Sequence, residues 1–151
     1  MNWRQSLAKG EVKSHQTSKQ ELDNIRTLIR RDLADASVLA LSADRRFATA
    51  YNAALQSGTM TIACSGYRVS ARAGHHAVTF EAAALVLGQE SVRFTDYFEA
   101  CRRKRNTIDY QKSSVATVTE ADELVLKANE FHSFVEAWVA ANHPALAESA
   151  M

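Results

Sequence analysis

Apolar residues recur every three or four positions along most of the chain, which is the period of an amphipathic helix. The first such stretch predicts a helix over 18–35. Ser18 and Glu21 have the spacing of a capping box at its start, in which the serine oxygen accepts a backbone N–H and the glutamate reaches back. Three arginines are expected on the polar side of this helix: Arg26, Arg30 and Arg31.

Four more stretches with helical periodicity follow. Ser42 or Asp44 begins a helix that continues to about residue 65, and a short apolar segment over 79–87 predicts a third helix of two to three turns. A fourth begins at Ser91. The last is the longest, with an N-cap pattern at Thr119 and Asp122 and a stop at Pro144. The segment 66–74 has two glycines and no period, and it is predicted to be an irregular connection.

These elements predict an all-α protein, an antiparallel bundle of about five helices. No alternating pattern typical of a strand extends beyond about four residues. Residues 1–17 have no sustained pattern and are expected to be a flexible lead-in, 18–144 form one bundle domain, and 145–151 form a C-terminal tail.

Composition agrees with the all-α class and argues against membrane, secreted and zinc-binding classes. The 151 residues contain 26 alanines but only 5 glycines and 1 proline, which favours helix over coil. No apolar run is long enough for a membrane span or a signal peptide, so we expect a cytoplasmic protein without membrane partners. Cys64 and Cys101 lack the spacing of a zinc site, and no metal or cofactor is expected.

The net charge of +1 gives no overall attraction to nucleic acid, but residues 102–105 are four consecutive cations. Extending the apolar face of the fourth helix from Phe98 and Cys101 places Arg105 on that face. A buried guanidinium keeps its charge, so Arg105 is predicted to meet a carboxylate, a backbone carbonyl or a ligand's phosphate. Asp44, Asp96 and Asp109 are the candidate carboxylates; the alternative for the other three cations is a solvated helix face.

Two further polar groups are candidates for the same groove. Asp44 and Tyr51 are two turns apart on the second helix and could both face Arg105; the alternative is that Asp44 caps the helix and Tyr51 belongs to the core. His75 and His76 follow the glycine-containing connection. Either imidazole could exchange protons near neutral pH, although a polar helix start is the alternative for this pair.

Arg105-Asn106 followed by Tyr110, near the end of a long helix in a small helical chain, resembles the HEPN domains. The resemblance covers most of residues 20–140. It includes four further segments: Leu41–Phe47, Ala50–Leu55, Gly66–Arg68 and Gly74–His76.

In HEPN domains an Arg-Asn pair, a following histidine and often a tyrosine form an RNA-cleaving or nucleotide-binding site. The resemblance implies that the arginine stabilises the phosphate while the histidine acts as general acid or base, without metal. Arg105, Asn106 and Tyr110 match this motif. The position of the histidine holds Ile108 or Asp109 instead.

The resemblance therefore implies a HEPN-like domain that binds a nucleotide or RNA phosphate, and it also implies a homodimer that pairs its long helices. The residues that the resemblance implies as catalytic are Arg105, Asn106 and Tyr110. Taken together with the spacing arguments above, the residues predicted to bind the nucleotide or RNA are Arg102, Arg105, Asp44, Tyr51 and His76. One alternative is a metal-independent ribonuclease, the toxin partner of a nucleotidyltransferase-like antitoxin. Another is a non-enzymatic interaction module in which Arg105 is a structural ion pair.

Overall fold

The computed structural model describes residues 1–72, 74–109 and 113–149. The described part is an all-α bundle with one two-stranded sheet. Its helices are α1 (Trp3–Ala8), α2 (Lys19–Ala36), α3 (Ala43–Cys64), α4 (His75–Leu87), α5 (Val92–Asp109) and α6 (Val118–Asn142). Its strands are β1 (Val12–Ser14) and β2 (Tyr67–Val69), which pair antiparallel.

Helix α3 lies at the centre of the bundle and packs against α2, α4, α5 and α6. Both of its faces carry small or apolar residues, so most of its length is buried. The short connection 37–42 returns the chain from α2 to α3, as expected for antiparallel neighbours. A fully buried aromatic cluster of Phe80, Phe94, Phe98 and Phe131 joins α4, α5 and α6 beneath it.

Of the five predicted helix starts, two agree with the structure, that of α5 lies one residue after the predicted Ser91, and two differ further. Ser18 and Ser42 cap α2 and α3 by accepting backbone N–H groups. The N-cap of α6 lies two residues before the predicted cap at Thr119, because Thr117 and Glu120 form the capping box. Helix α4 begins at residue 75, not 79, after a left-handed glycine at Gly74 (φ 82°).

The predicted lead-in over 1–17 contains regular structure, which adds a sixth helix to the expected five. Asn2 caps α1, and the Trp3 ring stacks on Tyr67 of β2 at 4.2 Å and 12°. Val12 of β1 is 1% exposed. A six-residue helix and a three-residue strand are too short to produce a periodic pattern, so contacts with distant residues determine this region.

The start of the expected tail also has regular structure. Pro144–Leu146 form a 3-10 turn, and Leu146 O accepts a hydrogen bond from Arg26 at 2.8 Å. Arg26 is 1% exposed, so its predicted place on the polar side of α2 is wrong. Its guanidinium also binds both carboxylate oxygens of Glu136 on α6, at 2.8 and 3.0 Å.

Candidate functional site

Helix α5 carries Arg105 toward α3. Phe94, Phe98 and Cys101 are buried, and Arg105 occupies the next position on the same face. The side chain of Arg105 is half-buried, and its Nη2 donates to Oδ1 of Asn52 at 3.3 Å. Its guanidinium carbon lies 5.8 Å from the centre of the Tyr51 ring, within the range of a cation–π contact.

Tyr51 links this arginine to helix α4. The residue is fully buried, its ring packs edge-on against Phe80, and its hydroxyl shares a 3.2 Å hydrogen bond with Nδ1 of His76. Burial raises the pKa of the Tyr51 phenol, and the carboxylate of Glu99 raises it further. Tyr51 therefore stays neutral at physiological pH and acts as a hydrogen-bonding group.

A glycine allows the two helices to approach closely enough for the contact between Tyr51 and His76. A Cβ atom at Gly58 of α3 would lie 3.2 Å from the Thr79 methyl carbon on α4, which is tighter than ordinary contact. Because α3 and α4 pack closely at Gly58 and Thr79, His76 in the first turn of α4 contacts Tyr51, which lies two turns before Gly58 on α3.

The two adjacent histidines lie in the first turn of α4, and not in the preceding loop. His75 is exposed and its Nδ1 lies 2.9 Å from the carbonyl oxygen of Arg72. The ring of His76 is half-buried and meets His75 edge-on at 4.3 Å. His76 thus lies against Tyr51, on the side where α3 also contacts Arg105.

The other cations of the 102–105 run differ in their partners. Arg102 lies 3.2 Å from Glu99, three residues earlier on α5, and Lys104 pairs with Glu120 of the α6 capping box. Arg103 is exposed. Both Arg102 and Arg105 act electrostatically on Tyr51, opposing the effect of Glu99 on its pKa.

Three helices thus bring together a group that we call the Arg105 cluster. Its members are Tyr51 and Asn52 of α3, His76 of α4, and Glu99, Arg102 and Arg105 of α5. Among the described side chains, these members are two permanent cations, one carboxylate and three groups without a permanent charge.

The remaining predicted residues do not join these contacts in the described structure. Oδ1 of Asp44 accepts a 2.7 Å hydrogen bond from the backbone N–H of Ala116, so Asp44 secures the segment before α6. It is eight residues before Asn52, about 12 Å along the helix axis. Asn106 is half-buried on α5. Tyr110 lies outside the described residues, as does the side chain of Asp109.

One neighbour of the site was missed in the sequence. Glu99 has the i, i+3 spacing to Arg102 that favours an ion pair, and this signal was available. Outside the site, Arg26 follows Leu22 by four residues and precedes Ile29 by three, so helical periodicity could have placed it on the buried face.

Comparisons with protein-family models, with curated proteins and with solved structures find no match to this chain. Among the described residues, no helix has the length and apolar character to cross a membrane. The same residues contain no group of three or more His, Cys, Asp or Glu side chains placed to hold a metal ion.

Proposed function

We propose that the protein binds the phosphate of a nucleotide or RNA at the Arg105 cluster, as a HEPN-like domain. The observation that carries this proposal is the convergence of Arg105, Tyr51 and His76 from three helices. Arginine presents planar, permanently charged N–H groups that match phosphate oxygens. Tyr51 and Asn52 add neutral polar groups beside it.

The surroundings favour an anion. Arg102 and Arg105 both act electrostatically at Tyr51, and the N-terminal turn of α4 adds the positive end of a helix dipole at His75 and His76.

The binding experiment titrates the full chain with AMP, ATP and a short labelled single-stranded RNA at two salt concentrations. Replacing one charged contact costs about tenfold in affinity, so Arg105→Gln is expected to weaken binding by about that factor and to reduce the salt slope by about one. Arg93→Gln is the matched control, because Arg93 lies at the opposite end of α5 and packs over Phe94.

Equal weakening by both variants, or binding that does not depend on salt, would contradict the proposal. Binding that does not depend on salt would favour the non-enzymatic interaction module, in which Arg105 has only a structural role.

A metal-independent ribonuclease is the second candidate, and His76 is the observation that favours it. The motif position that holds histidine in HEPN domains is occupied here by Ile108 or Asp109, but the fold brings the His76 imidazole against Tyr51 and near Arg105. In this version Arg105 stabilises the phosphate, His76 moves the proton, and a nucleotidyltransferase-like antitoxin is the expected partner.

The test incubates labelled single-stranded RNA with the protein in EDTA. Cleavage that is lost in Arg105→Ala and in His76→Ala, but retained in His75→Ala, supports the enzyme. Cleavage by the unchanged chain no greater than that of Arg105→Ala excludes it.

A further inference from the structure

An apolar groove of about 340 Å³ runs between α4 and α5. The apolar part of its lining is formed by Ala77, Phe80 and Ala84 of α4 and Val92 of α5. The two alanines have small side chains, so space remains between the helices above the buried ring of Phe80. The volume lies within the roughly 300–1,000 Å³ typical of ligand sites, near the lower limit.

The charged residues that line this groove are all acidic. Glu81 lies on α4, whereas Asp96 and Glu99 lie on α5. No lysine, arginine or histidine is among the described residues of the lining. The groove therefore combines an apolar floor with carboxylates on both of its sides.

Two of these carboxylates have a cation of the chain beside them, and the third does not. Arg102 lies 3.2 Å from Glu99, and the backbone amino group of Met1 lies 3.6 Å from Glu81. Within the described part of the chain, the exposed side chain of Asp96 forms no ion pair or hydrogen bond. The carboxylates at the groove thus outnumber the cations that neutralise them, which favours a positively charged ligand.

The spacing of the carboxylates favours a ligand whose charges are separated. Asp96 and Glu99 are i, i+3 neighbours on the surface of α5, where Cβ atoms are about 5–6 Å apart, and Glu81 lies across the groove. In the described ranges of the chain, no three acidic, histidine or cysteine side chains are placed to hold one metal ion. A single compact cation therefore fits the groove less well than a chain that carries several cations.

We propose that this groove binds a linear polyamine, in which short methylene chains separate the ammonium groups. One ammonium group binds Asp96, a second lies against Glu81 on the opposite helix, and Glu99 adds to the negative potential. The methylene groups cover Ala84 and Val92, which removes apolar surface from water. The proposal does not depend on the phosphate site, since neither Arg105 nor His76 lines the groove.

Isothermal titration of the full chain with spermidine, Mg²⁺ and octane-1,8-diol tests the charges and the apolar body separately. Mg²⁺ supplies charge without an apolar body, and the diol supplies an apolar body without charge. We expect saturable binding of one spermidine per chain, with an affinity that falls as salt is added, and much weaker binding of Mg²⁺ and the diol.

A charge variant with a matched control tests the role of Asp96. Asp96→Asn should weaken spermidine binding about tenfold, because it removes one charge-assisted contact. Asp35→Asn is the control, since Asp35 is an exposed acid on α2 outside the groove and its replacement changes the net charge equally. The control should keep the spermidine affinity of the unchanged chain.

A second pair of variants tests the groove itself. Ala84 is half-buried in the lining, and Ala84→Leu should fill the space and abolish spermidine binding while circular dichroism stays helical. Ala100→Leu is the control, an exposed alanine on α5 outside the groove that should leave the affinity unchanged. If Ala84→Leu does not fold, the comparison of Asp96→Asn with Asp35→Asn decides alone.

Four results overturn the proposal: no saturable heat with spermidine, Mg²⁺ binding as tight as that of spermidine, equal spermidine affinities in Asp96→Asn and Asp35→Asn, or an unchanged affinity in a folded Ala84→Leu. These titrations contain no nucleotide or RNA. Failure of the polyamine groove and failure of the phosphate site are therefore measured independently.

Discussion

Two buried arginines hold the bundle together through mixed sets of acceptors. Arg26 binds Glu136 and the Leu146 carbonyl, and Arg46 binds the Ala36 carbonyl at 2.8 Å and Asp122 at 2.6 Å. Both are under 5% exposed. A buried guanidinium is tolerated only when its N–H groups are satisfied, so each arginine fixes the elements that supply its acceptors.

Replacing Arg26 by methionine should lower the free energy of unfolding by about 3 kcal/mol, because it leaves the half-buried Glu136 without its main partner. The matched control is Arg30→Met, four residues along α2, whose exposed pair with Glu148 at 2.9 Å should contribute under about 1 kcal/mol. Urea denaturation of both variants measures the difference, and equal losses would contradict the assigned role of Arg26.

The ion pair between Arg26 and Glu136 also predicts a pH dependence of stability. Burial alone would raise the pKa of Glu136, but its neighbours His132 and Arg26 lower it from 4.5 to about 2. A carboxylate with a lowered pKa stabilises the fold above its unfolded pKa, and this contribution, at most about 3 kcal/mol, disappears as the pH falls from about 4.5 toward 2. Hydrogen bonds from neighbouring side chains also lower the pKa values of three other carboxylates: Glu21, Asp23 and Glu120.

The wild-type chain should therefore lose stability through this acid range, and Glu136→Gln should lose less over the same interval although it starts from a lower value. Thermal unfolding at pH 7, 4.5 and 3 provides the comparison. Parallel pH profiles for the two proteins would show that protonation of Glu136 does not contribute to the loss of stability in acid.

At the scale of the element, the N-cap of α6 is Thr117 in the structure, whereas the sequence pattern predicts Thr119. Thr117→Ala removes the side chain that accepts from the Glu120 N–H at 3.1 Å and should cost about 1 kcal/mol. Thr119→Ala changes an exposed position inside the helix and should be neutral or slightly stabilising. Denaturation midpoints of the two variants test this, and the reverse order would place the cap at Thr119.

Elements with their own local signals were predictable. Helices α2 and α3 have both a serine cap and a long apolar period, and the inward position of Arg105 followed from the spacing on α5. Helix α1 and the two strands depend on contacts between distant segments, such as Trp3 with Tyr67, which no local pattern records.

The candidate site also has a part that local spacing predicts and a part that depends on how the helices pack. Helical spacing placed Arg105, whereas the approach of His76 to Tyr51 depends on how α4 packs on α3 at Gly58. Asp44 shares a helix with Tyr51, but its partner is a backbone N–H that the fold brings from the segment before α6. The two-turn spacing of Asp44 and Tyr51 placed both on one face of α3, but it did not determine which neighbouring segment each side chain would contact.

At the scale of the whole molecule, the HEPN resemblance predicts a homodimer formed through the long helices. Helix α6 presents two large hydrophobic residues that are exposed, Val118 at 62% and Leu126 at 57%, whereas Val139 is fully buried within the chain. Light scattering should give twice the chain mass of 16.7 kDa. Leu126→Lys should shift the protein toward monomer, because a charge in an apolar contact is costly.

Leu39→Lys provides the control for this dimer. Leu39 is 78% exposed in the connection between α2 and α3 and does not belong to α6, so its replacement should leave the mass unchanged. A monomeric mass for the unchanged chain at its highest soluble concentration would contradict the homodimer.

The pairing of β1 with β2 also has a consequence for the order of assembly during synthesis. Val12 pairs with Val69, so the first strand cannot find its partner until α2 and α3 have both been made. At about 5–20 residues per second, a nascent chain waits at least about 3 s between these two residues. The central helix hairpin is thus free to form first, and the N-terminal segment closes over it afterwards.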